Sequence, residues 1–376
     1  MSRSSQLMGF AERDPTNPIL LCDLLDALLA EGRVDEAMTR VQAAPAVLQA
    51  LPGVKFRQAR CAMLRRDFAA AIAILQPLLV DTVAVPPAGI AHDLAYAQFA
   101  LGQLDAAMHT LAIARAEGED AVAFALLKAR ILHHQRQYAP ALEALDVVTD
   151  GPRLAEAWGL RSLLLLDQGD TAQAMAAASH ALELEPSQLE ANITRGTVAL
   201  GERHLDEARQ AFEQVLEMDA RSGRALLGMG QIDMLHGDVS GARALLEHSA
   251  REMPGHIGTW HALAWCQLLE GDLAGAKSSF DRVFAIDRTF GETHGGLALV
   301  HALRGERQEA EESIKRATRL DPHGTSARYA RSVLLLDEGH PEDAKRIVDG
   351  IVAQSVHQPL PADFIYRLRE LVRPRG

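Results

Sequence analysis

An alanine recurs along this chain of 376 residues at a nearly fixed interval. Seven of the nine steps between successive markers are 34 residues long, one is 36 and one is 33. A fixed period of this length indicates stacked repeats, each of which buries its apolar face against its neighbours. A small residue recurs where the two helices of a repeat pack closely together. The markers are Ala37, Ala71, Ala107, Ala141, Ala174, Ala208, Ala242, Ala276, Ala310 and Ala344.

A second column of residues predicts the turn between the two helices of each repeat. When the marker is placed at position 20 of a 34-residue unit, position 15 is glycine in seven units and arginine in three. Glycine is typical of the residue that follows a helix, because it adopts a left-handed backbone without steric cost. The position-15 residues are Gly32, Arg66, Gly102, Arg136, Gly169, Arg203, Gly237, Gly271, Gly305 and Gly339.

Two segments show these columns most completely. They are 155–188, with Trp158, Gly169, Ala174, Ala181 and Pro186, and 291–324, with Leu297, Ala298, Gly305, Ala310, Ala317 and Pro322. The pattern resembles the tetratricopeptide repeat (TPR), an antiparallel pair of helices in 34 residues. The resemblance implies an all-α, right-handed α-solenoid (a superhelix) of about ten antiparallel helix pairs. The Ala-, Leu- and Arg-rich composition is typical of a bacterial chain.

The two irregular steps divide the predicted array. The register slips near Pro86 and near Pro152, whereas six units from Ala155 onward keep a strict 34-residue period. Residues up to about 13 are expected to be disordered, and Pro361–Val372 reads as an amphipathic helix that caps the array. The predicted divisions are 1–17 (tail and helix cap), 18–87 (repeats 1–2), 88–154 (repeats 3–4), 155–358 (repeats 5–10) and 359–376 (C-terminal capping helix and basic tail).

Composition excludes several classes of partner. The formal net charge is −12, which argues against a general nucleic-acid or anionic-membrane surface. Three scattered cysteines give neither a disulfide framework nor metal-ligand spacing, and favour a reducing compartment. The N-terminus lacks the apolar stretch of a secretory signal, and no run of 18 apolar residues predicts a membrane span. We therefore expect a cytoplasmic protein without metal or cofactor.

The sequence carries no recognisable catalytic motif. It lacks His-Glu-x-x-His, a glycine-rich phosphate loop and Gly-x-Ser-x-Gly. His133 and His134 are adjacent, but neighbours on a helix point about 100° apart and share a metal poorly. We therefore expect a protein that is not an enzyme.

The resemblance also implies where a partner binds. In TPR superhelices the first helix of each repeat lines a concave groove through positions 2, 5, 9, 12 and 13. Here those positions form an aromatic and cationic stretch of Phe56, Arg60, Met63, His92, Tyr96, Phe99, Arg130 and His133. A second, apolar stretch consists of Leu163, Leu166, Ile193, Leu200, Leu227, Gln231, Met234, His261, Trp265 and Leu268.

Each stretch has two interpretations. Aromatic and arginine side chains often carry binding energy, but Phe56 and Phe99 could simply pack against adjacent helices. An exposed apolar run usually marks an interaction site, but a tighter curvature could bury it within the array.

The favoured function is a non-enzymatic scaffold or adaptor that binds a peptide or an amphipathic helix of a protein partner in the groove. The alternative is a self-assembling or structural subunit of a secretion or envelope-polymer machine. A homo-oligomer would then form through the C-terminal helix.

Overall fold

The computed structural model describes residues 2–80, 87–148, 150–151, 153–354 and 369–370. All regular elements in these ranges are α-helices, which confirms the all-α prediction. The chain divides into two units, Met1–Asp170 and Thr171–Gly376. Within the described ranges, no helix combines the length and apolar character that crossing a membrane requires.

The first unit contains eleven helices in its described residues, including one extra helix at its start and one short helix after the first pair. Its helices are α1 (Arg3–Ala11), α2 (Pro18–Ala30), α3 (Val34–Ala43), α4 (Ala46–Gln49), α5 (Pro52–Leu64), α6 (Phe68–Val80), α7 (Ala88–Ala100), α8 (Leu104–Ile113), α9 (Glu119–His134), α10 (Tyr138–Leu145) and α11 (Leu154–Asp167).

The second unit continues the same alternation with longer second helices. Its helices are α12 (Thr171–Leu184), α13 (Leu189–Gly201), α14 (Leu205–Met218), α15 (Gly223–His236), α16 (Val239–Glu252), α17 (Ile257–Leu269), α18 (Leu273–Ile286), α19 (Gly291–Arg304), α20 (Arg307–Leu320), α21 (Thr325–Asp337) and α22 (Pro341–Gln354).

The marker alanines lie in the core of each pair. Nine of them are fully buried and Ala344 is 1% exposed. In the pair α15–α16, Ala242 and Leu246 lie so close to Gly230 that a methyl group on that glycine would overlap Leu246. Small residues on both helices therefore set the short distance between them.

The left-handed turn occurs in all ten pairs. The seven glycines at position 15 have φ between 72° and 86°, and Arg66, Arg136 and Arg203 have φ of 61°, 58° and 67°. A non-glycine residue in this region costs roughly 1 kcal/mol or more. Helix pairing therefore imposes the turn even where the sequence supplies arginine.

The expectation that the first 13 residues are disordered is wrong, because most of them form helix α1. Its residues Leu7 and Met8 pack on the core of α2 and α3. Ser4 is fully buried, and its hydroxyl donates a hydrogen bond of 2.6 Å to Glu31. This hydrogen bond, with a second one from the Ser4 N–H, lowers the pKa of Glu31 to about 2. The N-terminal segment thus covers the first repeat.

The predicted cap at the other end lies mostly outside the described residues, as do Pro86 and Pro152 at the two register slips. Arg369 is described, and its guanidinium donates hydrogen bonds of 2.8 and 3.0 Å to Asp337 at the end of α21. The capping helix and the handedness of the solenoid stay predictions.

Candidate functional site

The cations of the aromatic and cationic stretch are paired with carboxylates of neighbouring helices. Arg130 binds Glu156 at 2.9 Å, and His133 Nε2 lies 2.6 Å from Asp167. Arg60 approaches Asp93 at 3.9 Å. The first unit therefore neutralises these groups internally, and the stretch offers less positive charge than its sequence indicates.

The aromatic residues of this stretch differ in accessibility. Phe56 and Met63 pack against the core of α5–α7, and Phe99 packs edge-on against His134 at 4.9 Å between ring centroids. His92 is half-buried beside Phe124. Tyr96 is 40% exposed. The packing interpretation therefore holds for both phenylalanines, and Tyr96 keeps an accessible surface.

Part of the apolar stretch belongs to the core. Leu268 is fully buried, and Leu163 and Ile193 are each 7% exposed. Leu268 packs with Phe280 and Leu299, because α18 and α19 cover that face of α17. The prediction that Leu163, Ile193 and Leu268 line an open groove is therefore wrong. Leu166 and Leu227, two further leucines of the stretch, are half-buried.

Five residues of the apolar stretch come together in one cleft of the second unit. Gln231, Met234, His261 and Trp265 line a cavity of about 500 Å³ together with Leu200. We call it the α13–α17 cleft, since its residues come from α13, α15, α17 and the turn after α13. Its remaining lining residues are Gly201, Arg203, Leu235, Gly258 and Ala262.

Trp265 is held in place by packing against another aromatic ring. Its ring meets Tyr329 of α21 edge-on, with the centroids 6.2 Å apart. Helix α21 comes within reach because Gly295 of α19 has no side chain: a Cβ there would lie 2.7 Å from the backbone nitrogen of Ala327. A fixed aromatic wall loses little conformational entropy on binding a ligand.

His261 forms the other aromatic wall of the cleft. Its ring lies 5.7 Å from Phe280, 5.9 Å from Phe290 and 6.4 Å from Trp265. Burial among these rings lowers the pKa of the imidazole, which is therefore neutral at neutral pH. Its Nε2 atom is buried and lacks a hydrogen-bond partner among the described residues.

Arg203 supplies the charge of the cleft. Within the part of the chain that the structure describes, its guanidinium forms no ion pair or hydrogen bond, and neither does the side-chain amide of Gln231. The neighbouring Glu202 approaches His204 Nδ1 at 3.6 Å instead. Arg203 was not among the site residues predicted from the sequence. The available signal was an arginine at a position that is usually glycine.

A second cavity, of about 420 Å³, lies at α10 and α11 of the first unit. Trp158 and Arg161 line it, and the Arg161 guanidinium stacks 5.5 Å from the indole centroid. Arg161 also binds Asp146, at 2.7 Å. Because that charge is already paired, the α13–α17 cleft is the better candidate site.

The chemistry of the cleft is typical of a ligand-binding pocket. Its walls are apolar, and its polar groups are a cation, an amide and a neutral imidazole. A search of the described residues found no cluster of three histidine, cysteine or carboxylate side chains able to hold a metal ion. Apolar pockets with a few polar groups are typical of ligand recognition.

Comparison with known families identifies the repeat. Tetratricopeptide repeat models match residues 92–154, 155–188 and 199–266. The chain is a tetratricopeptide repeat protein. The third match covers α14, α15 and most of α17, so TPR helices supply most of the cleft. Repeats of this family indicate a protein-interaction scaffold.

A curated relative aligns with a short part of this TPR chain. The putative cellulose synthase operon protein C of Escherichia coli O157:H7 is 28% identical over 108 residues. The alignment covers 29% of this chain and 9% of the relative's length.

Solved structures with a similar fold include three TPR-like chains of low identity. PilF of Pseudomonas aeruginosa is 18% identical with a TM-score of 0.43, over 54% of this chain and 93% of its own. YrrB, described as a TPR protein with an unusual peptide-binding site, is 21% identical with a TM-score of 0.37, over 52% and 97%. The Cut9–Hcn1 assembly is 14% identical with a TM-score of 0.43, over 93% and 83%.

Proposed function

We propose that this TPR chain is a non-enzymatic scaffold that binds an apolar, amphipathic segment of a partner protein in the α13–α17 cleft. The observation that carries the proposal is the cleft itself. Five groove residues selected from the sequence pattern line one cavity together: Leu200, Gln231, Met234, His261 and Trp265. Methionine and tryptophan are adaptable contacts for the apolar face of a helix.

The shape of the cleft supports a short segment of a partner. A volume of about 500 Å³ lies within the range of pockets that enclose small ligands, so it accommodates a few side chains rather than a whole helix. The partner would place its apolar side chains between Met234 and Trp265, and the rest of the helix would lie against the rim.

Self-assembly is the weaker candidate. It depended on the apolar stretch and on the C-terminal helix, of which residues 361–368 and 371–372 lie outside the described part of the chain. An oligomer formed through that helix stays a prediction.

Filling the cleft tests the proposal. Gly201 lines it, and a Cβ on this glycine would have no neighbour within 4 Å. Gly201→Leu should therefore place a side chain in the cleft without disturbing the fold, and leucine favours the helix over glycine. We expect binding of a fluorescent, alanine-based helical peptide with Leu at i, i+4 and i+7 to weaken at least about tenfold.

Gly9→Leu is the matched control, since Gly9 is also helical with open space around it. It should leave the dissociation constant unchanged, and circular dichroism should show both variants folded. Wild-type affinity in a folded Gly201→Leu protein would rule out the cleft as the binding site.

A further inference from the structure

The lining of the α13–α17 cleft combines apolar side chains with one positive charge that has no ion-pair partner among the described residues. Met234, Leu235 and Trp265 provide apolar surface, and Arg203 lies in the same lining. His261 is neutral because burial lowers its pKa. Among the described lining residues, Arg203 is thus the single group that is charged at neutral pH.

The charge of Arg203 is opposite in sign to the net charge of the protein. The chain has a formal net charge of −12, and several of its arginines are matched to a carboxylate on a nearby helix. Arg209 binds Asp233 at 2.8 Å, and Arg243 binds Glu270 at 2.7 Å. The Arg203 guanidinium, which precedes both pairs in the sequence, has no such partner in the described part of the chain.

The backbone of Arg203 adds a second observation. The residue has φ of 67°, in the left-handed region where seven other repeats have glycine. Of the two other arginines in this turn, Arg66 stacks over Phe68 at 5.8 Å. Arg136 is exposed and lines neither cavity described above. Backbone strain kept beside a binding cavity is consistent with a role for the side chain.

We infer that the cleft selects partner segments in which an acidic side chain, glutamate or aspartate, lies one helical turn from the apolar residues that enter it. The guanidinium of Arg203 binds this carboxylate by charge-assisted hydrogen bonds, which its planar donor set favours. The Gln231 amide, also unpaired, offers a further donor on the same lining. The inference rests on the proposed function and adds the charge of the partner to it.

The test uses matched helical peptides and the full chain. Three amidated, N-acetylated peptides share the Leu i, i+4, i+7 pattern and carry Glu, Gln or Lys one turn further on. An exposed ion pair contributes up to about 1 kcal/mol. We therefore expect the Glu peptide to bind about fivefold more tightly than the Gln peptide, and the Lys peptide to bind most weakly.

Arg203→Gly removes the charge and installs the residue that suits the turn, so the variant is expected to fold. It should bind the Glu and Gln peptides equally, whereas Arg203→Lys should keep part of the preference. Arg136→Gly makes the same backbone change in the first unit and should preserve the full preference.

The outcomes separate the two proposals. If Arg203→Gly still prefers the Glu peptide, the role of Arg203 is wrong, although the cleft stands. If a Gln peptide with a free C-terminal carboxylate outcompetes the Glu peptide, the cleft binds a chain end and the inference is overturned. If Gly201→Leu binds all peptides as the wild type does, the proposed function itself fails.

Discussion

At the scale of single residues, the turn positions show how much of the backbone conformation the repeat pattern predicts. The spacing of the alanines predicts a left-handed residue at ten positions, and all ten have positive φ. This includes Arg66, Arg136 and Arg203, where residue type gives no hint of it. The geometry of the helix pair therefore decides the backbone there, and the repeat pattern carries that information.

Side-chain accessibility was less predictable. Leu268 and Trp265 both occupy expected groove positions, but Leu268 is fully buried whereas Trp265 lines a cleft. The difference depends on which neighbouring helices cover each residue. The ion pairs were not predictable from the sequence for the same reason. Arg130 and His133 contact carboxylates of α11 that lie 26 and 34 residues further along the chain.

His261 should make stability sensitive to mild acid. Its pKa is lowered in the folded protein by burial, from an ordinary value of 6.5. Below that value the unfolded chain binds a proton that the folded chain resists, so the free energy of unfolding falls as the pH falls. We expect His261→Phe to flatten this decline between pH 6.5 and about pH 5 in urea unfolding experiments.

His323 is exposed, so His323→Phe serves as the control and should keep the wild-type slope. Superimposable pH profiles for wild type and His261→Phe would show that the histidine is not buried in neutral form.

At the scale of helices, the second unit pairs large aromatic residues with glycines. The ring of Phe212 on α14 fills the space left by Gly196 on α13 and Gly228 on α15, and a Cβ at either glycine would overlap it. Phe280 of α18 has the same relation to Gly296 of α19. The repeat period does not encode which glycine faces a phenylalanine ring, so this relation is visible only in the structure.

This complementarity predicts a non-additive pair of substitutions. Gly228→Ala should lower the free energy of unfolding by about 1–3 kcal/mol, because the methyl group enters the Phe212 ring. In the Phe212→Leu background the same change should cost less, with a coupling energy of at least about 0.5 kcal/mol. Denaturant unfolding of the two single variants and the double variant measures it.

Gly201→Ala provides the reference, since that helical glycine has open space and alanine favours a helix by up to about 1 kcal/mol. Strict additivity of Gly228→Ala and Phe212→Leu would contradict the packing described here.

At the scale of the whole molecule, the repeat period was sufficient to predict the fold class and the family, and both are confirmed. It was insufficient at the N-terminal end and at the irregular repeat. Helix α1 follows no repeat column, and α10 is only eight residues long, Tyr138–Leu145, where the later second helices have fourteen. Such elements are specified by local contacts, such as Ser4 with Glu31, which a period does not encode.

The central claim is that the α13–α17 cleft is where this TPR protein binds its partner. The chain has three tryptophans, and one of them, Trp265, lines the cleft. Trp260 belongs to the same helix, but its indole N–H donates to the Pro254 carbonyl at 2.9 Å. Trp158 lines the other cavity. The three indole N–H signals in a ¹H–¹⁵N spectrum therefore report on three different places.

Titrating the Leu-bearing Glu peptide into ¹⁵N-labelled protein is the most direct test. We predict that the indole signal of Trp265 shifts progressively to saturation while those of Trp158 and Trp260 keep their positions. Saturable binding with a stationary Trp265 signal, or with Trp158 shifting in its place, would contradict the account.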